Sequence, residues 1–189
     1  MSAPILAEEP GKVNLQRLAI NQKGMLVLGG WALGNIATGL AMQGNATQAD
    51  HYFHQMNVLW NTVNFGLATW GYLQNRNEDV SNYTLRQTIE KNEEVQGVLL
   101  LNAGLDVAYM ATGVWLHSRG DHAGETFESQ AKWRGYGRSL ILQGAFLLVF
   151  DVTLYLVHRG NHQSWLESAF GKTTAFRIQP DSITYSFYY

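Results

Sequence analysis

Apolar residues gather into four long runs, at positions 24–42, 56–73, 97–116 and 140–157, separated by polar and charged stretches. Charged side chains are absent from 24–49 and again from 51–75, and the two later runs hold one acid each, Asp106 and Asp151. About 20 consecutive apolar residues suffice for a helix to cross ~30 Å of hydrocarbon. The runs therefore predict an all-α, antiparallel four-transmembrane-helix bundle. A water-soluble four-helix bundle would place Lys or Glu on its outer face at every turn, where this chain has Leu, Val, Met, Trp and Phe.

Polar residues inside the runs are placed periodically. In the second run His54, Asn57, Asn61 and Asn64 step by three, four and three, a spacing that keeps them on one helical face. Asp50, Ala68, Gly71 and Asn75 extend the seam in both directions, while Met56, Leu59, Trp60, Val63, Leu67 and Trp70 cover the other sides. The remaining runs offer their own sets: Asn35 and Thr38; Asn102, Asp106 and Tyr109; Gln143, Asp151, Tyr155 and His158. An aspartate at the centre of a span costs about 2.5 to 3.5 kcal/mol and persists when turned inward to partners. The predicted bundle thus has a polar interior, walled by Asn35, His54, Asn57, Asn61, Asn64, Asn102, Asp106, Tyr109, Gln143, Asp151 and Tyr155. In the first run Gly30 and Gly34 form a small-xxx-small pair, the signature of a close helix-packing face. A weak internal repeat sets Asn35 against Asp106, in the strings Ala32-Leu33-Gly34-Asn35-Ile36-Ala37 and Ala103-Gly104-Leu105-Asp106-Val107-Ala108.

The flanks complete three regions: an N-terminal segment 1–23, the four-helix domain 24–158 and a tail 159–189. Positions 12–23 suit a helix, either lying on the membrane surface or extending the first span. The second half of 76–94 reads as a helix running into the third span. Trp165, Leu166, Ala169 and Phe170 fit a short interfacial helix, followed by strand-like positions 173–178, a turn at Pro180-Asp181 and an aromatic end, Tyr185-Ser186-Phe187-Tyr188-Tyr189. Nine basic residues (Lys12, Arg17, Lys23, Arg76, Arg86, Lys91, Arg159, Lys172, Arg177) flank one side of the spans, and four (Arg119, Lys132, Arg134, Arg138) the other. By the positive-inside rule both termini are cytoplasmic.

Composition adjusts this reading little. The chain has 189 residues, 15% of them charged, well under the ~25% of soluble domains. Its mean hydropathy of −0.15 reflects the polar loops and seams. A net charge of −2 without a basic cluster argues against nucleic acid. With no cysteine, disulfides and thiolate chemistry are excluded. The first ten residues lack a signal-peptide core, so the first span serves as the targeting signal. Motifs for hydrolytic catalysis or a phosphate loop are absent.

Three functions suit the polar interior. In the first the amides and carboxyls bond one another and fix helix register in a small structural or accessory membrane protein, partnered by lipid and by a protein or a second copy. The second is a small-solute or proton-linked transporter using Asp106 and Asp151. The third is metal or haem binding by His51, His54, His117 and His122, an alternative to the expectation of no cofactor. The strings Gly29-Gly30-Trp31-Ala32-Leu33-Gly34-Asn35, His54-Gln55-Met56-Asn57 with Trp60-Asn61 and Asn64, Asn102-Ala103-Gly104-Leu105-Asp106-Val107 and Gln143-Gly144-Ala145-Phe146-Leu147-Leu148-Val149-Phe150-Asp151 resemble an uncharacterised family of short bacterial four-span membrane proteins, a family of unknown function. The likeness covers about 14–158. It implies a multi-pass protein of a bacterial inner membrane and brings no activity or catalytic residue with it.

Overall fold

The structure, a computed structural model, describes residues 10–44, 46–122 and 124–170, with side chains through Ser168. Four helices make up the described chain: α1 (Pro10–Met42), α2 (Gln48–Asn77), α3 (Leu85–Arg119) and α4 (Phe127–Phe170). No strand occurs among the described residues; the strand-like positions 173–178 and the aromatic end lie outside them.

Each helix overruns the apolar run that predicts it. α1 opens on Pro10, whose fixed φ suits a first helical turn, and continues without a break through 12–23 into the apolar run. Of the two readings of that segment, extension of the first helix is the one the chain adopts. α3 starts at a reciprocal cap: the Thr84 hydroxyl accepts from the Gln87 backbone N–H, and the Gln87 side chain accepts from the Thr84 N–H at 2.9 Å. Such a capping box satisfies two of the N–H groups left free at a helix start. It begins the helix twelve residues ahead of the apolar run, as the charged stretch 85–94 predicts. α4 likewise runs unbroken through Trp165, so the expected separate tail helix is its last turns.

Three of the helices, α1, α3 and α4, are long and apolar enough to cross a membrane. α2 is outside that group because His54, Asn57, Asn61 and Asn64 occupy its buried face. The distribution of polarity is inverted relative to a water-soluble domain. Among the described residues fourteen polar or charged ones are buried against twelve apolar ones, while Trp70, Leu101 and Val149 are 64%, 65% and 67% exposed.

α4 is the central element. It packs along α3 and against α2, with a smaller contact to α1; α1 in turn packs along α2. No Cα of α2 comes within 8 Å of one in α3. The α3–α4 contact is close because glycines line it. A Cβ on Gly137 would stand 2.5 Å from the Gly113 carbonyl oxygen, one on Gly113 2.8 Å from that of Gly137, and one on Gly144 2.9 Å from that of Asp106. Gly30 and Gly34, expected to form a packing face, have open space where a Cβ would stand. Close glycine contacts lie elsewhere: between α3 and α4, and at Gly39 of α1, where a Cβ would stand 3.0 Å from the His54 carbonyl oxygen of α2.

Gly137→Val forces the α3 and α4 backbones apart, and overpacking of this kind costs about 1–3 kcal/mol. Gly34→Val, in open space, is expected to stay within about 0.5 kcal/mol of the parent. Thermal unfolding of the purified proteins checks the pair; equal losses would mean that the glycine contact is not what sets the α3–α4 distance.

Candidate functional site: a polar interior in two parts

Gln143 sits on the α4 face turned toward α1 and α2 and is fully buried. Its Nε2 donates to Asn57 Oδ1 at 3.1 Å and to Asn35 Oδ1 at 3.3 Å, and its Oε1 accepts from Trp31 Nε1 at 2.9 Å. Ser139, one turn earlier on the same face, donates to Asn57 Oδ1 at 2.6 Å. Asn35 Nδ2 donates to the Trp31 carbonyl at 2.9 Å, and Asn61 Nδ2 to the Asn57 carbonyl at 2.8 Å. The Trp31 ring stacks on Phe146 of α4, centroids 3.9 Å apart. Hydrogen bonds among these side chains join three helices, leaving Asn61 Oδ1 without a partner. Trp31 and Ser139 were not among the expected members. Ser139 lies four residues before Gln143, a spacing that marks it as a candidate; Trp31 reads as apolar and gives no such signal.

The end of the bundle beyond this network is tied on the outside. Arg138 Nη1 reaches Asp50 Oδ1 at 2.7 Å, and the Tyr136 hydroxyl donates to Gln55 Oε1 at 3.0 Å. The Thr47 hydroxyl, donating to Asp50 Oδ2 at 2.6 Å, and then the Arg138 guanidinium hold the Asp50 carboxyl below its ordinary range. His54 is buried with Nδ1 unpartnered, and His117 Nδ1 is also unpartnered. His51 Nδ1 lies 2.9 Å from the Gln43 carbonyl and His122 Nδ1 3.1 Å from that of Ser118. Among the described residues no three His, Cys, Asp or Glu side chains are grouped as metal ligands.

Toward the other end the interior opens. Because α2 and α3 stay apart, a cavity of about 640 Å³ lies between them, backed by α4 and α1. Asn64, Asn102, Asp106, Tyr109 and Asp151 line it together with Leu28, Leu67, Val98, Leu99, Leu105 and Phe150. Asp151, Asp106 and Asn102 are neighbours on this wall. Three buried polar atoms of cavity-lining residues have no partner: Asn64 Nδ2, Trp60 Nε1 and Asp106 Oδ2. At the top of the gap Trp60 meets Tyr109 edge to face, centroids 4.8 Å apart. Tyr155 stands apart from this group, its hydroxyl accepting from Arg159 Nη1 at 3.3 Å.

The foot of the cavity is closed by a second polar cluster. Arg17, 2% exposed, pairs with Glu78 and donates through Nε to Asn14 Oδ1 at 3.2 Å. The Tyr83 hydroxyl donates to Glu78 at 2.9 Å; burial first, and then the Glu78 charge, raise its pKa above the ordinary value. Asn21 Nδ2 donates to Asn75 Oδ1 at 3.0 Å, joining α1 to α2. Asn14 Nδ2 donates to Thr88 Oγ1 at 2.8 Å, joining α1 to α3. His158 is fully buried nearby with both ring nitrogens unpartnered, and His162 Nδ1 lies 3.1 Å from Gln96 Nε2. In the sequence Arg17 reads as a flanking cation, and nothing about the N-terminal segment alone marks it as buried.

Gln143→Leu removes the acceptor of Trp31 Nε1 and a donor to Asn35 Oδ1, at about 1–3 kcal/mol each, while Asn57 Oδ1 keeps Ser139. Loss of thermal stability of that size is expected, against less than about 0.5 kcal/mol for Thr62→Val on the exposed side of α2. The Asp50 carboxyl adds stability that is present above the ordinary carboxylate pKa and lost as pH falls through its lowered folded-state value. Unfolding followed from about pH 5 to pH 2 should be less pH-dependent in Asp50→Asn; an unchanged slope would remove the Asp50–Arg138 tie from the account.

No curated protein and no solved structure matches the chain. A family model does match, over residues 27–152, which hold the Gln143 network and the carboxyl pair. With more than half of its length matched, the chain belongs to DUF6992, a family of unknown function.

Proposed function

We propose that this is an integral membrane protein of four antiparallel spans whose interior holds a small molecule in the cavity between α2 and α3. The observation that carries the membrane reading is the inverted surface. Leu, Val and Trp side chains more than half exposed lie along all four helices, while the amides and carboxyls are inside. In water this arrangement forfeits the hydrophobic driving force; in lipid it is the expected one. The pairing of Gly113 with Gly137 and of Gln96 with His162 supports antiparallel α3 and α4. The excess of basic residues at the Arg17 end supports cytoplasmic termini, and membership of a bacterial inner membrane remains part of the proposal.

Within that setting the two halves of the interior have different tasks. The Gln143 network fixes register and is a structural device, as the accessory-protein reading holds. Residues that line the cavity carry buried polar atoms without partners, each costly to leave so, and its volume falls in the ~300–1,000 Å³ range of small-molecule sites. The nearness of Asp106 to Asp151 favours one further role. Two neighbouring carboxyls can share one proton, so the pair is suited to proton-linked binding.

The chain lacks cysteine, so single cysteines report topology directly. In intact cells a membrane-impermeant maleimide should label Gly124→Cys, and Ser81→Cys only after permeabilisation. The protein should stay in the membrane through alkaline carbonate extraction; release into the supernatant would end the membrane reading. Native mass spectrometry from mild detergent should show a bound small molecule that Asn64→Leu removes.

A further inference from the structure

The shape and chemistry of the cavity narrow what it takes, and this inference rests on the binding reading above. We propose that the ligand is an uncharged amphiphile, with a hydroxyl-bearing head seated at Asn64, Trp60 and Asp106 and one apolar chain leaving sideways between α2 and α3.

Three observations support the head group. Asn64 Nδ2 and Trp60 Nε1 are donors one turn apart on α2, both buried and both without a partner. Asp106 Oδ2, on a residue 3% exposed, is an acceptor without a partner across the same cavity. A head that only accepts leaves Asp106 unmet, and one that only donates leaves Asn64 and Trp60 unmet; a hydroxyl does both. An anionic head would face the carboxyls of Asp106 and Asp151 with no cation beside them, since Arg17 is held by Glu78 and Lys91 by Glu94. A quaternary ammonium has no donor or acceptor to offer.

The tail follows from the route in. At the foot, the Arg17–Glu78 and Asn21–Asn75 pairs stand between the cavity and the loops. Sideways, no backbone contact joins α2 and α3, and the rim carries Val63, Leu67 and Trp70 on one side and Val98 and Leu105 on the other, all more than 40% exposed. An apolar lateral opening admits molecules from the hydrocarbon phase and favours a chain left lying in it.

The test uses the full chain in nanodiscs and four probes: a C16 monoacylglycerol, palmitate, hexadecyltrimethylammonium and glycerol. Saturable binding and a raised Tm are expected for the monoacylglycerol alone. Asn64→Leu should weaken it on the order of tenfold while leaving the empty protein as stable or more so, because it removes an unpartnered amide; a purely structural asparagine would instead lower the Tm. Val98→Trp, on an exposed wall position, should narrow the opening and slow association without loss of fold. Equal binding of palmitate, of the ammonium probe or of glycerol, lost in Asn64→Leu, would overturn the ligand class and leave the cavity a site. No saturable binding by any probe, with nothing bound in native mass spectrometry, would overturn both. Monoacylglycerol binding unaffected by Asn64→Leu and Val98→Trp would place the amphiphile elsewhere and overturn the inference.

Discussion

One side-chain amide governs the architecture. Gln143 has a donor pair and an acceptor, and it spends them on Asn57 of α2, Asn35 of α1 and Trp31 of α1. In a low-dielectric interior those bonds are hard to replace, so the rotation of α1 and α2 about α4 is set by where one amide can reach. The glycine seam does the same for α3, bringing it onto the opposite side of α4 until backbones touch. Held by two different devices on two sides of one helix, α2 and α3 cannot also meet each other. The gap between them is a geometric result of the packing, and the cavity is that gap.

This explains why the polar seam of α2 divides. Asn57 faces α4, and its side-chain oxygen is met by both Ser139 and Gln143; the Asn61 amide nitrogen is met by its own helix, while its oxygen is left without a partner. Asn64, one turn on, faces the space that α3 leaves empty, and its amide nitrogen is not met. The same residue type, at the same helical spacing, is structural at one depth and available at the next. Asp106 repeats the pattern from α3: it neighbours Asp151 and keeps a carboxyl oxygen without a partner.

Most of the helices and much of the interior can be read from the sequence, because both are written in periodicity. Four apolar runs give four helices, and the three-four-three spacing of His54, Asn57, Asn61 and Asn64 places all four among the buried residues of α2. The extent of the helices is less legible. α1 and α4 pass through segments that composition leaves open between a surface helix and an extension, or assigns to a tail, because continuous backbone hydrogen bonding carries a helix past the point where a hydropathy pattern ends. Partners were hidden where the residue type misleads. Trp31 reads as apolar yet contributes a donor, and Arg17 reads as a solvated flank yet is buried against Glu78. Gly30 and Gly34 read as a packing seam and face open space, since a small-residue spacing states what could approach and not what does.

By itself, then, the sequence determined four long helices, their polar faces and the identity of the buried carboxyls, since these depend on local spacing and on which side chains share a helical face. Tertiary structure alone decided which polar groups meet. Whether an asparagine is satisfied depends on residues as far apart as Asn35 and Gln143 arriving within hydrogen-bonding distance, and whether two helices touch depends on how both pack on a third. The cavity between α2 and α3 is a property of that third-party packing, and no stretch of chain encodes it alone.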